Sequence, residues 1–132
     1  MKDTPLDSRV RLSRALGHPA RLRIVAMLRA GELCVCQITE VLQLAPSTVS
    51  AHLKELSRAG LIEDRKDGRW VWIGLSQVPA AENCREAMLK DLNGDPQLAA
   101  DQERVIELRN IAVSDLCRLG YEEAKARANK PH

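Results

Sequence analysis

Long apolar runs are missing from this sequence. No stretch reaches the ~18 apolar residues expected of a membrane-spanning helix, and the segment from Met1 to Val10 is polar and charged, unlike a secretory signal. We therefore expect a cytoplasmic protein with no membrane partner. The chain has 132 residues, 45% of them hydrophobic, which suits one modest hydrophobic core that is completed by a partner chain.

Cysteine is scarce, and the four residues are Cys34, Cys36, Cys84 and Cys117. Because the cytoplasm keeps thiols reduced, we expect them to be free, catalytic or metal-binding rather than joined in disulfides. Cys84 and Cys117 each stand alone, and such residues are usually buried packing, although a ligand role stays open for each. The sequence has no Cys-x-x-Cys motif, no phosphate-cradling loop and no constellation of catalytic bases, so we do not expect an enzyme.

The net charge of +2 is distributed unevenly along the chain. Residues 1–75 contain 12 Lys/Arg and 8 Asp/Glu, a balance of +4, whereas residues 76–132 contain 8 and 10, a balance of −2. A basic front half favours contact with a polyanion. A difference this small can also arise by chance, so the charge alone decides nothing.

The first half of the chain has the apolar spacing of helices. Apolar residues at intervals of three and four predict helices from Leu6 to Leu16, from Pro19 to Gly31 and from Cys34 to Leu42. His18, just before a helix-starting proline, is interpreted as a loop residue. Leu44-Ala45-Pro46 then interrupts the pattern and predicts a tight turn.

A fourth helix follows this turn. Ser47 can cap it, Gly60 marks its end, and its buried face is Val49, Leu53 and Leu56. Two short helices joined by a tight turn form a helix-turn-helix, in which the second helix enters the major groove of DNA.

After this helix the apolar period changes to that of a strand. Leu61-Ile62 and the segment from Trp70 to Leu75 flank Asp67-Gly68, a strong hairpin signal. The hairpin tip carries Arg65, Lys66 and Arg69. A basic hairpin directly after a recognition helix predicts a winged helix-turn-helix, whose wing reaches flanking phosphates or the minor groove. The predicted fold is mainly α with a small β-hairpin.

The remaining residues predict two further helices. One runs from Pro79 to Asn93-Gly94, and a longer one carries an apolar stripe from Leu98 to Leu119. Because the chain has little left to cover this stripe, we expect a homodimer in which a second copy covers it, with help from the first helix; packing onto its own winged domain is the alternative. The predicted units are residues 6–77 for DNA binding, 78–120 for dimerisation and 121–132 as a polar, fraying tail.

One face of the fourth helix suits DNA. Small side chains and hydroxyls allow close approach to the groove, and basic groups suit phosphates or guanine. We predict that double-stranded operator DNA is contacted by Ser47, Thr48, Ser50, Ala51, Lys54 and Arg58 on this helix and by Arg65, Lys66 and Arg69 on the wing. An ordinary solvated helix face would look similar, and the wing is what favours DNA. His52 could either pack beside the apolar stripe or reach a phosphate.

Four segments within residues 8–92 carry recognisable motifs: G-H-P-A-R-L-R-I-V-A-M-L, E-L-C-V-C, P-S-T-V-S-A-H-L-K-E-L-S-R-A-G-L-I and D-G-R-W-V-W. They resemble the ArsR family of arsenic-responsive repressors, with E-L-C-V-C as the mark of its arsenic-sensing branch. The resemblance implies a homodimeric winged-helix repressor of an arsenic or antimony resistance operon. It also implies no permanently bound cofactor: As(III) or Sb(III) acts as inducer by binding Cys34 and Cys36, which releases the operator.

Two features depart from the family pattern. The best-known motif has a third cysteine at the position of Thr39, but other members of the branch also lack it, so the coordination number is open. Zinc-sensing relatives carry an Asp and several His residues in the last helix. Asp101 and Glu103 are present there without a histidine, and two thiols alone fall short of four zinc ligands. We therefore do not expect a zinc site.

The spacing of Cys34 and Cys36 suggests how binding would act. A helix start favours thiolate over thiol. Residues two apart on a regular helix point ~200° apart, so we expect the first turn to unwind when one ion binds both, which moves the recognition helix relative to its twin. Three alternatives stay open: two small core residues, a redox switch in which Cys34 with Cys36 or Cys84 with Cys117 oxidise, and a thiol-dependent enzyme acting on arsenic species.

Overall fold

The structure is a computed structural model that describes residues 3–129. Its helices are α1 (Pro5–Leu16), α2 (Pro19–Met27), α3 (Val35–Leu42), α4 (Pro46–Ala59), α5 (Pro79–Leu89), α6 (Pro96–Arg109), α7 (Val113–Leu119) and α8 (Tyr121–Ala128). Its strands are β1 (Leu33–Cys34), β2 (Ile62–Asp67) and β3 (Trp70–Leu75). Short 3-10 turns at Leu28–Ala30 and Lys90–Leu92 extend α2 and α5. Within the described range, no helix is long and apolar enough to cross a membrane.

Proline and capping residues set most helix starts. Proline occupies the first helical positions of α1, α2, α4, α5 and α6, where its missing N–H costs no hydrogen bond. His18 is more than a loop residue, because its Nδ1 accepts the Ala20 N–H at 3.1 Å and so caps α2. The prediction that Ser47 caps α4 is wrong: Ala45 takes the cap position and Pro46 begins the helix.

Helices α3 and α4 form the predicted helix-turn-helix. Gln43 ends α3 in the left-handed conformation at φ 56°, and Gly60 ends α4 in the same region at φ 84°, which costs glycine little. Val49, Leu53 and Leu56 are buried as predicted. This face packs α4 against α1, α2 and α3, so the opposite face is left to solvent.

The wing is the predicted hairpin with an additional strand. β2 and β3 pair in antiparallel fashion around a two-residue loop in which Gly68 has φ 61°, a conformation that such tight loops require. β1 pairs with the other edge of β3, placing Cys34 opposite Trp72. Cys34 is therefore in a strand, and the prediction that the third helix starts there is wrong by one residue.

The C-terminal region differs most from its prediction. The chain leaves the helical conformation between α6 and α7, because Ala112 is extended with ψ 130°. The predicted single long helix is therefore wrong, and α7 turns back to pack on α3. The apolar side chains Val105, Leu108 and Leu116 are buried within the chain's own core.

This burial overturns the reasoning that the stripe needs a second copy to cover it. α6 packs on α2 and α3, and its Asp101, only 4% exposed, accepts two hydrogen bonds of 2.9 Å from Arg23 on α2. One continuous cluster contains core residues from both predicted units. A homodimer stays a prediction, but its interface has to use other side chains.

The expectation of a fraying tail is also wrong for the residues that are described. α8 buries Tyr121 and Ala124. The Tyr121 hydroxyl donates to Glu107 Oε2 at 2.8 Å, and the Arg104 guanidinium lies 3.8 Å from the centre of the Tyr121 ring, a cation–π contact. Residues 130–132 of the predicted tail lie outside the described range.

Candidate DNA interface and thiol site

The side chains predicted to contact DNA lie on two exposed surfaces, one on α4 and one on the wing. All nine side chains predicted on α4 and the wing are exposed. On α4, the Arg58 Nη1 lies 3.7 Å from the carboxylate of Glu55, which is one turn away and also exposed. Arg69 is in the hairpin loop, with its guanidinium carbon 5.9 Å from the centre of the Trp70 ring. Because Arg69 is exposed in the loop, its side chain can change rotamer and contact a phosphate without disturbing the buried core.

Arg65 differs from the other wing cations. It lies within β2 opposite Trp72 rather than at the hairpin tip, and its Nη2 forms an ion pair of 3.0 Å with Glu32. The Arg65 guanidinium holds the pKa of Glu32 below its ordinary value. Part of the Arg65 charge is therefore neutralised. The less engaged cations of the wing are Lys66, which also lies in β2, and Arg69 in the loop.

A cleft of about 630 Å³ separates α4 from the wing. Its walls carry Lys54 and Arg58 from α4 and Arg69 from the wing, and Cys34 and Cys36 also line it. The predicted metalloid ligands and the predicted DNA-contacting cations thus border one space. A ligand held by these thiols would lie between the two DNA-binding elements.

Three cysteine sulfurs converge at this site. The sulfurs of Cys34, Cys36 and Cys117 lie within 4.8 Å of one another. Cys36 and Cys117, 81 positions apart, are joined in a disulfide, whereas Cys34 and Cys84 are free and buried. The prediction of free thiols is therefore wrong for Cys36 and Cys117.

The same pairing corrects the predicted redox pairs. Cys117 is bonded to Cys36 and not to Cys84, which is buried on α5 with its sulfur 3.8 Å from Ser13 Oγ. Cys84 is packing material, as expected. Cys117 is not, because α7 lies against α3 and brings it to the motif.

Backbone conformation explains how two cysteines so close in sequence face one site. Cys34 is extended, with φ −72° and ψ 149°, and precedes the first residue of α3, whereas Cys36 is in the first helical turn. The predicted unwinding of that turn is therefore unnecessary, because Cys34 is already outside the helix. Its backbone N–H donates to Gln37 Oε1 at 2.8 Å.

Sequence reasoning did not anticipate the helix cap formed by Gln37, and it left the role of Cys117 open. Gln37 is 4% exposed, and a glutamine three residues into a helix is a known capping signal, so the pattern could have revealed it. Cys117 had no comparable signal, because its approach to Cys36 depends on the break between α6 and α7.

His52 packs within the domain. Its ring centre lies 4.5 Å from that of His18, and its Nδ1 is 3.4 Å from Arg21 Nη1. Burial, followed by the neighbouring His18 and Arg21 charges, lowers the pKa of His52. Of the two roles considered for His52, these contacts favour packing.

A helix-turn-helix followed by a basic hairpin, with the face of its second helix exposed, defines a winged helix-turn-helix DNA-binding protein. Residues 18–64 match the family described as "Bacterial regulatory protein, arsR family". The chain is 36% identical over 98 residues to the arsenic resistance transcriptional regulator ArsR1 of Pseudomonas putida, covering 72% of this chain and 75% of that protein. The chain belongs to the ArsR family of bacterial regulatory proteins.

Two further relatives are informative. The arsenical resistance operon repressor of Escherichia coli is 41% identical over 73 residues, which cover 54% of this chain and 62% of that protein. The homodimeric winged helix-turn-helix DNA-binding domain of Mb0332 from Mycobacterium bovis superposes with a TM-score of 0.58 at 27% identity, covering 69% of this chain and 82% of that one.

Proposed function

We propose that this protein represses an arsenic or antimony resistance operon and leaves its operator when As(III) or Sb(III) binds the thiolates of Cys34 and Cys36. The observation that carries the proposal is the placement of both sulfurs in one cluster on the cleft between α4 and the wing. The names of the Pseudomonas putida and Escherichia coli relatives, both arsenic resistance regulators, support the same signal.

The chemistry of the two side chains fits a soft, thiophilic ion. Thiolates select soft ions over the hard cations that carboxylates prefer. Cys36 is in the first turn of α3 and, once its disulfide is reduced, offers such a sulfur ligand beside that of Cys34. Each bond to arsenite forms when a thiol replaces a hydroxyl group, which leaves as water, so arsenic stays trivalent.

Three contacts connect the segment around the cysteines to the DNA-binding elements. Glu32 forms the ion pair with Arg65 of the wing, and Cys34 pairs with Trp72 in the sheet. Cys36 belongs to α3, which packs on α4. A shift of this segment on binding would therefore reach both the wing and the recognition helix.

The proposal includes a homodimer, because operators of such regulators present two half-sites at fixed spacing. The homodimeric Mycobacterium bovis domain supports this assembly. Since the stripe on α6 and α7 is buried, we assign the interface to exposed apolar side chains on α1, where Leu6 is 73% and Val10 41% exposed. Sedimentation of a Leu6→Asp, Val10→Asp double variant should show a monomer; an unchanged dimer would exclude α1.

A second candidate function is a redox-responsive repressor of the same fold. The Cys36–Cys117 disulfide favours it: two thiols would give two electrons and two protons to hydrogen peroxide, which is reduced to two waters. Operator binding by the oxidised and the reduced protein, compared without arsenite, separates the two signals. The enzyme alternative has less support, because the Pseudomonas putida and Escherichia coli relatives are regulators; an arsenate reduction assay addresses it.

The test of the leading proposal is a gel shift with the DNA upstream of the protein's own gene. A phosphine reductant keeps the thiols reduced and offers no thiol that competes for arsenite. The reduced protein should bind this DNA and leave it when arsenite is added, whereas Zn(II) should have no comparable effect. A complex that persists at saturating arsenite would refute the proposal.

A further inference from the structure

We infer that Cys117 supplies a third thiolate, so that trivalent arsenic or antimony is bound by three sulfurs and ties α7 to the start of α3. The inference rests on the proposed function, because it concerns the same inducer and extends the site beyond Cys34 and Cys36. The third ligand would come from the C-terminal helices rather than from the helix-turn-helix.

The geometry of the cluster carries the inference. All three sulfurs lie within 4.8 Å of one another, close enough for one ion to bind all three once the Cys36–Cys117 bond is reduced and these two sulfurs move apart. Cys34 is 1% exposed, and the other two are partly buried, so the site is shielded from water yet borders an open cleft. The neighbouring Leu116, 5% exposed, anchors α7 and holds Cys117 in position.

No other side chain near the described motif competes for the third position. Thr39, which occupies the position of the third cysteine in the best-known motif, donates its hydroxyl to the Val35 carbonyl at 2.8 Å. Cys84 is buried on α5 beside Ser13 of α1 and is absent from the cluster. Cys117 is therefore the thiol that can complete the site.

The reaction balances without an external oxidant once the thiols are free. Arsenite carries three hydroxyl groups, and three thiols replace them with release of three waters, so arsenic remains trivalent and no sulfur is oxidised. The Cys36–Cys117 disulfide first has to accept two electrons and two protons from a reductant, either a low-molecular-weight thiol or a phosphine. In the disulfide form only Cys34 of the three is free, so oxidation of this pair should block the response to arsenite.

The experiment counts the thiols that arsenite protects, in the absence of DNA. The wild type, Cys117→Ser and Cys84→Ser are reduced with a phosphine, incubated with arsenite, alkylated and weighed by intact mass spectrometry. We expect three protected thiols in the wild type and in Cys84→Ser, and two in Cys117→Ser. Arsenite affinity should fall by about tenfold or more in Cys117→Ser, since even indirect ligand support is worth ~10–100-fold at metal sites.

Phenylarsine oxide separates a ligand role from a structural one. Its arsenic carries a phenyl group and can form only two bonds to sulfur, so it should bind through Cys34 and Cys36. The affinity for phenylarsine oxide should therefore be the same in the wild type and in Cys117→Ser. A general disturbance of the fold would weaken both compounds. If Cys117→Ser does not fold, peptide mapping of the wild type shows whether Cys117 is among the cysteines that arsenite protects.

The outcomes for the inference and for the proposed function are distinct. Two protected thiols in the wild type, or unchanged arsenite affinity in Cys117→Ser, would overturn the third ligand even if arsenite still releases the operator. Three protected thiols in a protein that stays on its operator with arsenite bound would uphold the three-sulfur site and refute the proposed function.

Discussion

Reduction of the Cys36–Cys117 disulfide should lower the stability of the protein by a predictable amount. The two residues are 81 positions apart, and closing a loop of that length reduces the entropy of the unfolded chain by the equivalent of about 4.5 kcal/mol; measured values are more often ~2–4 kcal/mol. Unfolding entropy scales with length, so for 132 residues each kcal/mol moves Tm by roughly 3–4 °C. Reduction should therefore lower Tm by ~7–16 °C.

Thermal unfolding followed by circular dichroism checks this value. The oxidised and phosphine-reduced proteins are compared at one protein concentration, because dimerisation also raises Tm. Cys117→Ser should not respond to the reductant, whereas Cys84→Ser should respond like the wild type. A wild-type shift below about 2 °C, or an equal shift in Cys117→Ser, would refute the reasoning that the disulfide constrains the chain.

Three further predictions concern the DNA face, the α2–α6 contact and His52. Arg69→Ala should weaken specific and non-specific DNA binding alike. The slope of log binding constant against log salt concentration should become shallower by about 0.9 for each phosphate that is no longer neutralised, or ~1.8 per dimer. Lys90→Ala, outside the predicted DNA face, is the control, and an unchanged slope in Arg69→Ala would show that the wing loop does not contact DNA phosphates. Asp101→Ala should lower the free energy of unfolding in urea by ~2–3 kcal/mol, less than for a fully buried pair, because the Arg23 side chain is 21% exposed; a change near zero would contradict the role of this pair. Because the pKa of His52 is lowered in the folded protein, the unfolded chain binds the proton first as the pH falls. The contribution of His52 to the free energy of unfolding should therefore be fully present above the unfolded pKa of about 6.5 and be lost as the pH drops from there towards the folded pKa. An NMR titration of His52 with a midpoint at or above about 6.5 would contradict this.

The local elements could be predicted because their signals are local. Proline at helix starts, Gly60 after α4 and Asp67-Gly68 between two apolar segments each fix the backbone within a few residues. The winged helix-turn-helix and its exposed basic face followed from these features. The start of α3 was one residue off, because strand pairing between Cys34 and Trp72 depends on residues far apart in sequence.

The C-terminal region could not be predicted by the same means. The apolar spacing from Leu98 to Leu119 continues across the break, so periodicity alone indicated one helix. The break becomes visible only when Leu108 and Leu116 both pack on the chain's own core, which is a property of the tertiary structure. For the same reason, the approach of Cys117 to Cys36 and the α8 contacts of Tyr121 were not predicted.

The most direct test of the central claim is arsenite-driven release of operator DNA by the wild type, Cys34→Ser and Cys36→Ser under a phosphine reductant. Serine is a favoured residue at the helix start that Cys34 occupies, and neither cysteine is among the predicted DNA contacts, so both variants should bind the operator as the wild type does. The account predicts that arsenite releases the wild type and leaves both variants bound. Normal release of both Cys34→Ser and Cys36→Ser would contradict the assignment of these cysteines as the sensing site.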